Sequence, residues 1–356
     1  MDNLAHTLVG ACLGRAGLDR LSPLAMPTVL IAANLPDVDA VSGFWGGLAY
    51  LEHHRGITHS FVGIAAAAPL LAAVMLAFDR LLRRGRGARP PAEFGWLVIV
   101  ALCGLASHLL LDYTNSYGVR PWLPFSPEWT YGDLVFIVDP VIWLVLAGGL
   151  LFGTSGRLGL AGWALLAIAL TAAVLRVRVV PLGMQLAWCA AVALLALARW
   201  WGEWRAPRAA RGALAAVFRY WGGLAVAHHD AVKLARLDAP VPSVAALPEL
   251  ADPLRWRAYA ATPQTLYVRE VSLLDQRSEG ASWRAIERNL DAPEVRHAAG
   301  TYAGCVMSGF GRYVVAEVAG NGTVPTVVLS DIRFARPGRP SFATVRIPLD
   351  GATSGR

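Results

Sequence analysis

"YLEHHRGITHSFVGIAAAAPLLAAVMLAF", residues 50–78, joins two unlike halves. Three of the chain's eight histidines fall between positions 53 and 59, beside an arginine and a glutamate. From Phe61 to Phe78 there is no charged residue. A helix rises about 1.5 Å per residue, so roughly 20 apolar residues cross the hydrocarbon of a bilayer. The second half therefore reads as a membrane span. Ionisable groups at the edge of a span are costly and are kept for function or for a specific partner.

Working outward, four further segments read as spans: 94–111, 134–153, 158–175 and 179–198. Two shorter apolar stretches precede residue 50, at 3–14 and 24–35, and read as a re-entrant or interfacial hairpin over 3–35. The totals agree with a membrane protein: 55% of residues are hydrophobic and 16% charged, and the mean hydropathy is +0.45. Charge is uneven, with 24 charged residues in 1–200 and 33 in the shorter remainder.

The expected fold class is mainly α: a polytopic helical membrane domain over 1–200 and a small C-terminal α+β domain over 245–356. Residues 201–244 should form a basic helix lying at the interface, followed by the Pro-rich linker "LDAPVPSVAALPELADP". Beyond it, alternating stretches such as "RAYAATPQTLYVREVSLL" and "GRYVVAEVAG" predict mostly antiparallel strands, with helices near 281–290 and 293–308.

The net charge of +7 comes almost entirely from arginines, many beside apolar segments, so anionic lipid is a simpler partner than nucleic acid. No nucleic-acid partner is expected. The four cysteines are far apart and suggest neither a disulfide framework nor a thiolate zinc site. No cleaved signal peptide is expected. Arg80, Arg83, Arg84, Arg86 and Arg89 place loop 79–93 in the cytoplasm. Counting spans forward then puts 112–133 outside and 199–356 inside, with Arg176 and Arg178 against the rule.

Ionisable residues collect at four places in the membrane half. His6 starts the first hairpin helix. Asp37 and Asp39, in "NLPDVDA", follow the second. His53, His54 and His59 precede span 61–78, and His108 and Asp112 close span 94–111. In an antiparallel pair, the start of one helix and the end of the next share an end, so all four places can converge, on the outer side by the arginine count. Imidazole and carboxylate without thiolate suit zinc, manganese or iron. His108 and Asp112 are four apart and share a helix face. His54 belongs in a loop turned at Gly56, and His59 starts the helix with Thr58 as N-cap. Each piece alone also has an ordinary structural reading, as a capped turn, a solvated histidine or a helix boundary. Asp133 and Asp139 either extend the site or, for Asp139 before Pro140, bound a helix.

The motifs "HTLVG", "LPDVD", "HRGITHS" and "SHLLLDYTNSYGVRPWLPFS" resemble, in order, the YdjM-like, LexA-regulated family of bacterial inner-membrane metal-dependent hydrolases over about residues 1–145. "PLRWRAYA" and "LSDIRFA" are similar to the extra domain of longer members. The resemblance implies the motif residues His6, Asp37, Asp39, His54, Arg55, His59, His108 and Asp112, leaving His53 out. A more distant likeness is to zinc-dependent phospholipases C.

The functional expectation is a membrane-bound hydrolase holding one or two divalent ions, zinc first and manganese or iron as alternatives. Its ligands would be His6, Asp37, Asp39, His54, His59, His108 and Asp112. A metal-activated water would cleave an ester or phosphodiester of a lipid-linked substrate, with Arg55 stabilising the developing charge. Arg55→Ala should then keep the metal and lose activity alone. The rivals are a metal-binding membrane scaffold that recruits a protein through its C-terminal domain, and an ion transporter. Transport sits poorly with ligands at one end of the spans.

Overall fold

The computed structural model describes residues 1–83, 90–178, 180–202, 205–274, 282–319, 325–335 and 341–349. Arg84, Arg86 and Arg89, on which the sidedness argument leans, lie outside the described residues. The chain divides into two compact units. The first is Met1–Val38, Arg55–His228 and Pro248–Leu254; the second is Asp39–His54, His229–Leu247 and Arg255–Arg356.

The first unit is helical. The expected hairpin is present as α1 (Asn3–Ala16) and α2 (Ala25–Ala32). Asp2 caps α1 by accepting from the Ala5 amide at 3.1 Å. A 3-10 segment, Leu35–Trp45, follows α2. A short helix α3 (Gly47–His53) belongs to the second unit. The long helices α4 (Phe61–Arg83) and α5 (Phe94–Tyr113) then form an antiparallel pair. Their shared core holds Ala68, Leu71, Met75, Leu97, Ala101 and Leu105. Gly104 of α5 permits close contact with the hairpin: a Cβ there would lie 2.6 Å from the Ala32 Cβ and 3.0 Å from the Val29 carbonyl oxygen. Small residues let membrane helices approach in this way.

Next come α6 (Pro140–Phe152), α7 (Arg157–Arg176) and α8 (Leu182–Trp201). Among the described residues, four helices are long and apolar enough to cross a membrane: α4, α5, α7 and α8. The expected span 134–153 is shorter than the sequence suggests. Leu134 and Val135 are apolar but donate their amides to the Thr114 carbonyl at 2.8 and 3.1 Å, outside any helix. Asp139 then caps α6 by accepting from Val141 and Ile142. That leaves 13 helical residues, about 20 Å of rise. Asp139 therefore bounds a helix.

The basic stretch expected to lie at the interface is the 31-residue helix α9 (Ala206–Arg236). It packs lengthwise along α6. Gly153, after α6, faces Ala206, and a Cβ on Gly149 would fall 2.5 Å from the Ala213 Cβ. Further along, the Tyr220 hydroxyl donates to Asp139 at 3.0 Å, at the start of α6. Arg211 reaches the Ala16 carbonyl at the far end of α1, at 2.8 Å. So α9 runs antiparallel to α6, from the end of α6 back to its beginning. Its small residues on one face, Ala206, Ala209 and Ala213, match the Gly149/Gly153 pair. The sequence had shown only their low bulk, not their partner.

The second unit is α+β. One sheet has the order β1 (Val244–Glu249), β2 (Asp252–Ala261), β3 (Thr265–Ser272) and β4 (Arg284–Glu287); the other has β5 (Val314–Ala319), β6 (Thr326–Asp331) and β7 (Thr344–Pro348). The pairings β2–β3, β3–β4, β5–β6 and β6–β7 are antiparallel. The helix expected near 281–290 is replaced by β4, because Ile286 pairs with Leu266 at the edge of β3. The helix expected over 293–308 is two, α10 (Pro293–Ala299) and α11 (Tyr302–Phe310). They are separated at Gly300, and the Thr301 hydroxyl caps α11 from Gly304 at 3.2 Å. Tyr259 stacks on Tyr313 in the core, with ring centres 4.6 Å apart. The motif "LSDIRFA" is structural: Arg333 and Asp331 form a buried ion pair at 2.7 Å, and Arg333 also donates to the Phe310 carbonyl.

Candidate metal centre

Three chain segments of the first unit meet at one end of its helices. The 3-10 segment after α2 brings Asp37, since Pro36 ends regular helix there. A 3-10 turn, Ile57–His59, brings His59 ahead of α4. The last turns of α5 bring His108 and Asp112. The N-cap of α4 differs from expectation. Ser60 accepts from the Gly63 amide at 3.0 Å, so α4 starts at Phe61, and Thr58 instead sits 3.0 Å from the Nδ1 of His59.

Asp37, His59, His108 and Asp112 each offer one donor atom, all within 4.8 Å of one another. The His59 and His108 Nε2 atoms are 3.1 Å apart. His59 Nε2 lies 3.2 Å from Asp112 Oδ2 and 3.5 Å from Asp37 Oδ1. His108 Nε2 lies 3.4 Å from Asp112 Oδ2 and 3.6 Å from Asp37 Oδ1. A tetrahedral ion with donors at about 2.0–2.2 Å separates those donors by about 3.3–3.6 Å. Five of the six edges of the four-donor set thus match or come within a few tenths of an ångström.

One donor is also oriented as a cation needs. The His108 Nδ1 is 2.7 Å from the Ala33 carbonyl. A carbonyl only accepts, so Nδ1 carries the proton and Nε2 presents its lone pair to the cluster. His59, His108 and Asp112 are fully buried, and Asp112 Oδ2 has no hydrogen-bond partner. Burial by itself would raise the Asp37 carboxyl, but the His108 and His59 rings beside it outweigh that and hold the group well below the usual carboxylate range. Buried carboxylates and bare imidazole nitrogens facing one another fit a divalent cation.

His6 sits beside this set. It stacks on His108 with ring centres 3.7 Å apart, and its Nε2 is 3.4 Å from Asp112 Oδ1. Neither of its ring nitrogens has a hydrogen-bond partner. The Met1 amine also contacts Asp112 Oδ1. Arg55 is 3% exposed and is anchored on the same carboxylate. Its Nη2 donates to Asp112 Oδ1 at 2.8 Å, and its Nη1 donates to Asn115 Oδ1 at 3.0 Å and the Gly118 carbonyl at 2.9 Å. The guanidinium lies 4.5 Å from the Tyr117 ring centre. Arg55 holds φ +56°, a left-handed backbone rarely taken by a non-glycine residue.

Asp39 and His54 belong to the second unit and pair with each other, Nδ1 to Oδ1 at 2.8 Å, with Tyr50 stacked on the imidazole. The His53 side chain is 61% exposed and stands apart, as its omission from the motif implies. Asn115 and Gly118 are site-building residues that residue chemistry did not flag. Gly118 has φ +88°, and a Cβ there would meet the Tyr131 ring at 2.5 Å. Their signal was their place in "SHLLLDYTNSYG", directly after Asp112.

Residues 1–181 match the family described as "YdjM inner membrane protein". A relative in Bacillus subtilis (strain 168), described as "Uncharacterized protein YfhP", is 27% identical over 154 residues, which cover 40% of this chain and 43% of that protein. The chain thus spans less than half the length of this curated relative. No solved structure matches. Neither match bears on the likeness to phospholipases C. The family match covers the hairpin, the α4–α5 pair and all of the Asp37, His59, His108 and Asp112 cluster, and the chain belongs to the YdjM inner membrane protein family.

Proposed function

We propose that this membrane protein is a metal-dependent hydrolase acting on an ester or phosphodiester of a lipid-linked substrate. The observation that carries the reading is the four-donor cluster, whose five measured edges of 3.1–3.6 Å suit one shared ion. When bound, a divalent ion supplies Lewis acidity and a water acidic enough to act near neutral pH. Zinc is the first choice for a mixed imidazole and carboxylate set of this size, with manganese or iron as alternatives.

The chain's own residues have separate tasks. Asp37, His59, His108 and Asp112 hold the ion. The Ala33 carbonyl fixes the His108 tautomer. Arg55 holds Asp112 in place and brings positive charge close to the reacting group. His6, stacked on His108 and 3.4 Å from Asp112, remains a further candidate ligand. Asp39 and His54 remain candidate ligands as a pair. A lipid-linked substrate is favoured because the cluster lies at the end of membrane helices, where such a substrate is concentrated.

We also propose, from the arginine count, that the centre faces the outer side of the membrane, opposite loop 79–93.

One observation favours a second reading. Four protein donors complete a tetrahedron, and closed shells are usual for structural ions, as a metal-binding scaffold would have. Metal analysis of the purified protein, with hydrolysis assays on phospholipids and bis-p-nitrophenyl phosphate, separates the readings. Bound divalent metal with metal-dependent hydrolysis supports the enzyme. Bound metal without turnover on any lipid ester supports the scaffold, and absence of bound metal after incubation with zinc, manganese and iron overturns both.

A further inference from the structure

The segment Asp39–His54 lies in sequence within the membrane half, yet it folds as part of the second unit, with the C-terminal strands and helices. Its two ends carry a pair: the His54 Nδ1 is 2.8 Å from Asp39 Oδ1. Helix α3 holds His54 in two ways. The His54 amide donates to the Tyr50 carbonyl at 2.9 Å. The Tyr50 ring, four residues earlier, stacks on the imidazole with ring centres 4.6 Å apart. His54 is left 8% exposed. Helix α3 in turn needs support. It has seven residues, and helices shorter than about 12–15 residues are marginal on their own. Its N-cap is Gly46, which makes no side-chain bond to the first turn. The support comes from α11. The two helices pack together, Leu51 of α3 is 2% exposed, and the Tyr302 hydroxyl, at the first position of α11, donates to the Glu52 carboxylate.

We infer that the C-terminal domain is the mount for the Asp39–His54 pair, with Tyr302 as a positioning residue that acts through α3. The first argument is entropic. A carboxylate and an imidazole fifteen residues apart close a loop when they pair, and that closure costs chain freedom. A helix already docked on α11 has given up much of this freedom in advance. The second argument is the short path. Tyr302 grips Glu52, Glu52 is two residues from His54, and Tyr50 of the same helix stacks on the His54 ring. The domain therefore has an intramolecular task, different from recruitment of another protein. The inference concerns how the pair is held, whatever ion or substrate it serves, and so does not depend on the hydrolase reading.

The test is carbethoxylation by diethyl pyrocarbonate of the full chain in nanodiscs, after chelation so that no ion shields a ring. Peptide mass spectrometry reads each histidine separately. His53, with a side chain 61% exposed, is the internal reference, and the fully buried His59 reports the membrane half. In the unaltered protein, His54 should react much more slowly than His53. Tyr302→Glu sets a second carboxylate against Glu52, while an acidic residue in the first turn suits α11 itself. It should raise His54 reactivity about fivefold, the worth of one net hydrogen bond, and leave His59 protected. Tyr302→Lys can pair with Glu52 and should keep His54 protected. Tyr302→Phe removes the hydroxyl alone from a residue 58% exposed. It should give a smaller rise and remains informative if Tyr302→Glu fails to fold. Unchanged His54 protection in the folded Glu and Phe variants would mean that α3 holds the pair without the domain, and would overturn the inference. An equal rise with Glu and with Lys, or a parallel rise at His59, would also overturn it, because the effect would not pass through the Tyr302–Glu52 contact.

Discussion

Replacing Arg55 is the sharpest probe of how the centre is built. The guanidinium makes bonds of 2.8 Å to Asp112, 3.0 Å to Asn115 and 2.9 Å to the Gly118 carbonyl, from a position 3% exposed. Arg55→Ala removes all of them and leaves a buried carboxylate without that counter-charge. Breaking a buried pair in this way costs about 3–5 kcal/mol when nothing replaces the lost charge. Losing an outer-shell partner of a ligand lowers metal affinity by about 10–100-fold. Arg55→Ala should therefore weaken zinc binding by that factor and lower the thermal stability of the metal-free protein. Arg55→Lys should fall between, since it keeps the charge but loses the fork. Chelator competition gives the affinity, and thermal unfolding in detergent gives the stability. Reading Arg55 as a donor to substrate alone gives a different result: full metal affinity, full stability and lost turnover. That outcome would refute the claim that Arg55 holds Asp112.

His59→Ala and His108→Ala should each reduce bound metal well below one equivalent, while His53→Ala, with its exposed side chain, should change neither metal content nor stability. Bound metal should be lost on mild acidification, where protons compete for the imidazole nitrogens. Asp37, held low by its histidine contacts, stays ionised through that range. Its own contribution to stability is present above the unfolded carboxylate value of about 3.9 and is lost only as pH falls further. Acid titration monitored by metal release and by unfolding should therefore show two separate transitions. Gly149→Leu should destabilise the fold by about 1–3 kcal/mol, because the new side chain would enter the space of Ala213, and a thermal shift measurement checks this.

Some of this was legible in the sequence because it rests on local chemistry. Runs of apolar residues long enough for a bilayer mark α4, α5, α7 and α8 wherever the chain goes. His108 and Asp112 are four apart on a helix, so their shared face is fixed by helix geometry. Antiparallel hairpins bring starts and ends together, so His6, Asp37, His59 and the α5 pair could be expected at one end. The family motifs carried the same residues.

What depended on partners distant in the chain was not legible. Residues 134–139 are as apolar as a span, yet Thr114 holds Leu134 and Val135 in a loop. Residues 284–287 became a strand because Leu266 and its neighbours offered an edge to pair with. The basic, amphipathic composition of α9 suits an interfacial helix, and only the facing Gly149 and Gly153 turn its alanine stripe into a packing surface. The division of Arg55 and Asp112 into holder and held is likewise tertiary. Sequence reveals which groups carry charge, but burial at 3% and 0% exposure decides that the two must satisfy each other.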